Sequence, residues 1–326
     1  MENKGANIYD AVLENICIDL NRPLLNIPAS YKEKVEEIRI RNGSFLTVYS
    51  GGKDYFVTKE GKLSTKLEEG IKIEKSHINK TFQLISNYSV YAFEEEIKNG
   101  FITIKGGHRV GIGGKVIYGN NGIETIRNIS SLNIRIAREK IGVSNHIIKY
   151  LIDPPFTIHN TLIISPPQCG KTTLLRDIVR NLSDGIYLDN GKGFKIGVVD
   201  ERSEIAGVYN GIPQNDIGIR TDVLDGCLKS DGIMMLIRSM SPEIIVVDEI
   251  GGKRDAEAIQ EALKAGIKLI ATVHGSTLDE IMSRSSMKEL LNEKIFKRYI
   301  FLDRSKGVGT IKEIMDVDKS TPIYLS

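Results

Sequence analysis

The sequence predicts an α/β protein in two parts: a C-terminal domain built on a mostly parallel sheet, preceded by a smaller α+β domain. Three observations carry that expectation. From Thr161 onward apolar runs alternate with amphipathic segments: run 161–164, helix 171–182, run 196–199, helix 226–240, run 244–247, helix 254–265 and run 268–273. Such a rhythm argues for parallel strands joined by crossover helices. The earlier part shows short period-two segments and glycine turns instead, the pattern of hairpin-linked strands. The character changes near Asp153-Pro154-Pro155, so the expected division is 1–140, a linker over 141–157, and 158–326.

Taken in order, residues 8–20 put Ile8, Val12, Ile16 and Leu20 on one helical face, with Leu13 and Cys17 beside it, so one core-packing helix is expected there. Val35–Arg41 alternates as a strand, with Arg39 and Arg41 on a shared face; 45–49 and 55–58 read as further strands. Residues 76–97 read as a helix carrying Ile78, Phe82, Ile85, Val90 and Phe93. Phe101–Lys115 reads as a glycine-rich hairpin around Gly106-Gly107; its spacing is not the G-x-G-x-x-G of a dinucleotide site. Ser131–Arg138 alternates again and ends on basic residues, and a terminal hairpin is expected over 301–304 and 307–314.

Bulk properties exclude several classes. The length of 326 residues suits about two domains, and 41% hydrophobic with 26% charged residues is the make-up of an ordinary globular chain. A net charge of +2 gives no polyelectrolyte attraction that would compel nucleic-acid binding, and no nucleic-acid partner is expected. The start lacks the regions of a signal peptide, and no apolar run approaches the ~18 residues of a membrane span. Cys17, Cys169 and Cys227 show no paired spacing, which fits a reduced cytosolic compartment.

The chain is organised around Thr161–Leu175. An apolar strand runs into Ser165-Pro166-Pro167-Gln168-Cys169-Gly170, and Lys171-Thr172-Thr173 then opens an amphipathic helix. That is the layout of a phosphate-binding loop. Backbone N–H groups and a helix N-terminus face an anion, Lys171 adds a point charge, and the Thr172 hydroxyl can hold Mg²⁺. The pattern G-x-x-x-x-G-K-[ST] is met at Gly170, Lys171 and Thr172 but has Ser165 in place of its first glycine.

Phosphoryl chemistry needs a second metal-holding acid and a group that orients water. Ile244–Val247 delivers Asp248 and Glu249 to a strand end, where ligands of open α/β sheets sit. Asp248 is the candidate partner of Thr172 at the metal, and Glu249 a candidate base. A second acidic strand end, Asp200-Glu201-Arg202-Ser203-Glu204, makes Glu201 the rival base. His274, after the run 269–273, is placed to sense a γ-phosphate. Arg202, Arg220, Arg238, Arg109, Arg135 and Arg138 are candidates to complete the neutralisation of phosphate charge, and the spacing does not choose among them.

Several long motifs in order carry a family resemblance: Gly106–Ile112, Ser131–Glu139, Gly197–Gly207, Arg220–Cys227, Leu236–Pro242, Asp248–Gly252 and Ala271–Gly275. Together they resemble the stage III sporulation protein AA family of endospore-forming bacteria, over residues from about 90 to 310. That family is similar to the type II and type IV secretion ATPases and pilus motors. The resemblance implies a RecA-like P-loop ATPase domain behind the smaller α+β domain, ATP and Mg²⁺ as cofactors, and self-association into a hexameric ring. It further implies a cytoplasmic protein on the mother-cell side, peripherally docked on membrane-embedded channel proteins between mother cell and forespore. In the motor relatives an acidic box supplies the catalytic Glu, here at Glu201, and a His box falls on His274. Their N-terminal domains bring arginines to the nucleotide, which singles out Arg109, Arg135 and Arg138.

The family's usual loop has glycines where this chain has Ser165 and Gln168. A Cβ costs little at negative φ and ~1–2 kcal/mol in the left-handed region, so each unsuitable position would weaken binding by roughly tenfold. The sequence thus predicts an Mg²⁺-dependent ATPase. Two rivals stand beside it: a nucleotide-bound scaffold with little turnover, and a nucleic-acid motor.

Overall fold

The computed structural model describes residues 4–120, 122–155, 157–186, 188 and 191–325. The chain divides into two compact units. The first runs to Arg138 and includes Tyr209–Gln214; the second holds Glu139–Val208 and the remainder from Asn215.

In the first unit, helices α1 (Lys4–Leu13), α2 (Ile18–Leu25) and α3 (Ala29–Lys32) precede strands β1 (Val35–Arg41), β2 (Thr47–Ser50), β3 (Lys53–Val57) and β4 (Leu63–Ser64). Helices α4 (Lys75–Ile85) and α5 (Glu94–Lys98) lead to β5 (Phe101–Ile104), β6 (His108–Gly119) and β7 (Gly122–Arg135). The strands form one sheet in the order β4-β3-β2-β1-β7-β6-β5. Its inward residues, among them Ile38, Ile40, Val110, Leu132 and Ile134, share a core with Tyr9, Leu20, Ile78 and Phe82 of the helices. Period-two alternation is therefore read out as one buried face.

Two expected helices are broken. The helix expected over 8–20 is α1 followed by α2, because Cys17 leaves helical geometry (φ −55°, ψ 146°) as the N-cap of α2. Its N–H donates across the core to Thr81 Oγ1 at 3.2 Å. Val12, Leu13, Ile16, Cys17 and Leu20 are buried all the same, so the apolar face survives the break. The helix expected over 76–97 stops at Ile85. Asn87 and Tyr88 follow at φ 47° and 58°, and two successive left-handed residues cannot continue a right-handed helix. Periodicity is blind to both breaks, since the residues on either side still alternate correctly.

His108, 3% exposed, accepts the Ala137 N–H on Nδ1 at 3.0 Å. Burial, aided by the nearby Arg138 charge, pushes its imidazole down to about 4 from 6.5. The folded pKa lies below the unfolded one, so the stability contributed by the neutral ring is full above pH ~6.5 and is lost as pH falls towards 4. The expected loss is about 3 kcal/mol. Urea unfolding at pH 7 and pH 4 checks it: His108→Asn, which keeps an acceptor but cannot charge, should flatten the slope. An equally steep slope in that variant would refute the assignment.

The second unit opens with α6 (Ile148–Leu151) and a two-stranded ribbon of β8 (Ile152–Asp153) and β9 (Thr157–Ile158). Strand β10 (Thr161–Ser165), helix α7 (Lys171–Asp184), β11 (Ile196–Asp200), β12 (Thr221–Asp225) and helix α8 (Lys229–Ser239) follow. Then come β13 (Ile244–Val247), α9 (Lys253–Lys264), β14 (Lys268–His274), α10 (Leu278–Met282), α11 (Ser285–Asn292), β15 (Arg298–Asp303), β16 (Thr310–Asp316) and β17 (Thr321–Leu325). The sheet order is β12-β11-β13-β14-β10-β15-β16-β17. Strands β12 through β15 in that order are parallel neighbours, and β16 and β17 extend the sheet antiparallel.

Both faces of this sheet are covered. Ile163, Val198, Val246 and Ile270 pack on one side with Leu174, Leu175 and Ile178 of α7. Leu162, Ile164, Ile245 and Val247 pack on the other with Ile233, Leu236, Ile259 and Leu290. Strands buried on two faces read as continuous apolar runs. The unforeseen strand β12 is the exception that explains itself: at the sheet edge, its residues are half-buried or exposed and include Asp222 and Asp225, leaving no such run.

Candidate phosphate-binding site

Parallel pairing brings four strand ends to one edge. Ser165 of β10 lies opposite His274 of β14, Val247 of β13 opposite Ala271, and Val199 of β11 opposite Val247. The Gly275 N–H also donates to Ser165 O at 3.2 Å, so His274 is held beside the strand residue that leads into the loop.

The loop itself spans Pro166 to Gly170, and α7 begins at Lys171. Ser165 ends β10 as a fully buried strand residue and is not among the positive-φ residues; its hydroxyl donates to Pro166 O at 2.7 Å. A glycine is not required there. Gln168 differs: its φ of 59° lies in the left-handed region, where a side chain costs about 1–2 kcal/mol. Gly170, the helix N-cap at φ 88°, has a second constraint, since a Cβ would lie 3.1 Å from Gly309 Cα. Pro166 and the two threonines Thr172 and Thr173 are half-buried, Pro167 is exposed, and Cys169 is buried with its Sγ 3.6 Å from Pro167 O.

Lys171 is 7% exposed, and its ammonium donates to the His274 ring at Nδ1, 2.5 Å away, with Nε2 at 3.1 Å. Burial pushes this amine below the ordinary lysine range, while the charges of Asp248, Glu249 and Glu204 pull it back. His274 Nε2 lies 3.4 Å from Glu249 Oε2, and Arg202 Nη1 reaches the same oxygen at 3.3 Å. The structure therefore joins Lys171, His274, Glu249 and Arg202 in one chain of charge beside the loop. Asp248, one residue before Glu249, is near enough for its charge to act on Lys171.

Glu201 is not in that chain. Its carboxylate pairs with Lys229 at the start of α8, a lysine whose side chain is 11% exposed. The preceding Asp200 is 1% exposed and accepts the N–H groups of Glu204, Ile205 and Ala206 at 2.8, 3.0 and 2.8 Å. Burial raises its carboxyl above the usual range against the pull of those donors. Asp200 folds the acidic segment back on itself, which leaves Glu201 and Glu204 on different sides of the turn's work: one on Lys229, the other acting on Lys171.

Thr272 carries no motif in the sequence that marks it as functional. Fully buried in β14, its hydroxyl donates to Asp248 Oδ1 at 2.7 Å and accepts the Glu249 N–H at 3.0 Å. The Ile250 N–H meets Thr272 O at 2.8 Å. These bonds hold Glu249 at φ 39°, a strained conformation of the kind found at functional sites. A lone hydroxyl in the apolar run 269–273 was the available signal.

The candidate arginines have diverse surroundings. Arg220 Nη1 donates to Ser183 O at 2.9 Å, near the end of α7 and about 18 Å along that helix from Lys171 at 1.5 Å per residue. Arg238 is exposed in the last turn of α8. In the first unit, Arg109 lies over the Phe101 ring at 3.5 Å, Arg135 is 3.8 Å from Glu37, and Arg138 donates to Val35 O and, at 2.9 Å, to Lys32 O. Burial pushes the Arg138 guanidinium below its usual range.

Among the described residues no group of three or more His, Cys, Asp or Glu forms a metal cage. The oxygen donors at hand are the Thr172 hydroxyl and the Asp248 carboxylate, hard ligands that suit an Mg²⁺ keeping water and phosphate oxygens in its shell. The residues present fit that ion. No helix of the described chain is long and apolar enough to cross a membrane.

The family model described as sporulation stage III, protein AA matches residues 7–321. The stage III sporulation protein AA of Bacillus subtilis is 45% identical over 299 residues, covering 92% of each chain. Among solved structures, the Legionella pneumophila ATPase DotB aligns with a TM-score of 0.51 at 16% identity, covering 82% of this chain and 72% of that one. The pilus retraction motor PilT with bound ADP aligns at 0.50 and 14%, covering 82% and 74%. At such identities the likeness is one of fold: a RecA-like domain with a mostly parallel sheet, behind a smaller domain with an antiparallel one.

Proposed function

The chain belongs to the sporulation stage III protein AA family, and from that membership we propose that it is an Mg²⁺-dependent ATP hydrolase of the secretion- and pilus-motor type. The observation that carries the reading is the convergence of Lys171, His274 and Glu249 beside a strand–loop–helix phosphate cradle. Lys171 neutralises the β- and γ-phosphates, and the loop N–H groups with the α7 N-terminus complete the cradle. Thr172 and Asp248 would hold Mg²⁺, which would supply neutralisation of phosphate charge. Glu249 orients and deprotonates the attacking water, and His274, bridging Lys171 and Glu249, transmits the state of the γ-phosphate between them.

In this reading the protein assembles into a hexameric ring, with an arginine such as Arg202 completing a site. It works in the cytoplasm of the mother cell, docked on membrane-embedded sporulation channel proteins. The left-handed Gln168 supports a second reading, a nucleotide-loaded scaffold with slow turnover. Sedimentation velocity with and without a non-hydrolysable ATP analogue, alongside phosphate release, separates the two. A six-fold mass with steady phosphate release is the expected result. An assembled, nucleotide-bound ring with no release above background would favour the scaffold, and turnover that appears only with DNA or RNA would favour a nucleic-acid motor.

A further inference from the structure

The turn between β15 and β16 seats itself on the outer side of the phosphate loop. Arg304 Nη2 donates to Gln168 O at 2.6 Å, and the Gly309 N–H donates to Cys169 O at 2.9 Å. Gly309 Cα and Val308 Cγ1 fill the space that a Cβ at Gly170 would occupy, at 3.1 and 3.3 Å. The turn is fastened internally: Asp303 Oδ1 accepts from the Ser305 N–H and hydroxyl at 3.0 and 2.8 Å, and the Thr310 hydroxyl donates to Gly307 O at 2.8 Å. It is a built element rather than a passing strand connection.

Its effect follows from peptide geometry. A trans peptide unit holds its C=O and the next N–H on opposite sides. With the carbonyls of Gln168 and Cys169 drawn outward by the turn, the N–H groups of Cys169 and Gly170 face the concave side of the loop. Inward-facing consecutive amides are what an anion nest requires. The same bond restrains Gln168 in the left-handed conformation that a glycine would adopt unaided.

We propose that Arg304 is a positioning residue of the nucleotide site, holding the Gln168 and Cys169 carbonyls outward so that the loop's amides are preset for phosphate. This rests on the nucleotide reading above and adds to it a residue more than a hundred positions beyond the loop. Arg304 is exposed, so its substitution spares the core.

The test compares full-length parent, Arg304→Ala, Arg304→Lys, the double variant Gln168→Gly/Arg304→Ala, and Lys171→Ala, by titration with a fluorescent ATP analogue and by steady-state turnover. Losing one hydrogen bond on a strained loop should weaken nucleotide affinity and raise KM about five- to tenfold, with kcat at saturation changed less than about twofold. The melting temperature should hold. Arg304→Lys, which keeps a donor, should recover most of the affinity, and so should Gln168→Gly in the double variant, because glycine needs no brace. If Arg304→Ala binds like the parent while Lys171→Ala does not, the brace is overturned and the nucleotide reading stands. If Lys171→Ala binds like the parent, both fall. A loss of affinity that tracks a lower melting temperature and is not recovered by lysine also overturns the brace.

Discussion

Lys171→Ala should lower ATP turnover about a hundred- to a thousandfold and weaken triphosphate binding to a similar degree. The ammonium is nearly buried, next to His274, with the charges of Asp248, Glu249 and Glu204 acting on it. Removing it deletes a charge-assisted contact to phosphate and leaves those carboxylates facing an anionic ligand. Truncating one partner of a buried charge cluster costs about 3–5 kcal/mol, and each 1.4 kcal/mol is roughly tenfold. Isothermal titration with an ATP analogue, together with phosphate release by the assembled protein, measures it. Affinity within a few-fold of the parent would remove Lys171 from the phosphate site and the proposed activity with it.

The second large effect concerns the base. Glu249→Gln should slow the chemical step under single turnover by about a hundredfold or more, the usual contribution of general-base catalysis, while nucleotide still binds. Glu201→Gln should change that step only a few-fold. The resemblance to motor ATPases points to Glu201, but its carboxylate is paired with Lys229, whereas Glu249 is linked to His274 and Arg202 and held at a left-handed φ by Thr272. What separates the two is place: Glu201 is held on Lys229 outside the chain of Lys171, His274 and Glu249 that lies beside the loop. Rapid-quench kinetics on both variants decide it; a Glu201→Gln enzyme that binds ATP but stalls, beside an active Glu249→Gln, would reverse the assignment.

The fold was largely open to reading because its signals are local. Buried parallel strands must be apolar throughout, crossover helices must be amphipathic, and the Pro-Pro-Gln-Cys-Gly-Lys stretch between Ile164 and Thr172 marks the strand–loop–helix step. From those signals alone came the two-part architecture, the mostly parallel sheet, the strand–loop–helix step at Lys171, and the strand ends that carry Asp248 and His274, while the edge strand β12 left no such signal. The broken helices near Cys17 and Asn87 left no such trace, since a helix that kinks and resumes keeps its apolar spacing.

What tertiary structure decided is everything that depends on direction rather than position. Register set Ser165 beside His274, and the fold of the acidic turn about Asp200 sent Glu201 towards α8. Of the two residues standing where glycines were expected, only Gln168 is left-handed, and what steadies it is a hairpin turn from the far end of the chain. Composition and spacing specify which side chains reach an edge of the sheet. Which of them meet there depends on φ angles and on contacts between segments far apart in sequence, and a one-dimensional pattern carries neither.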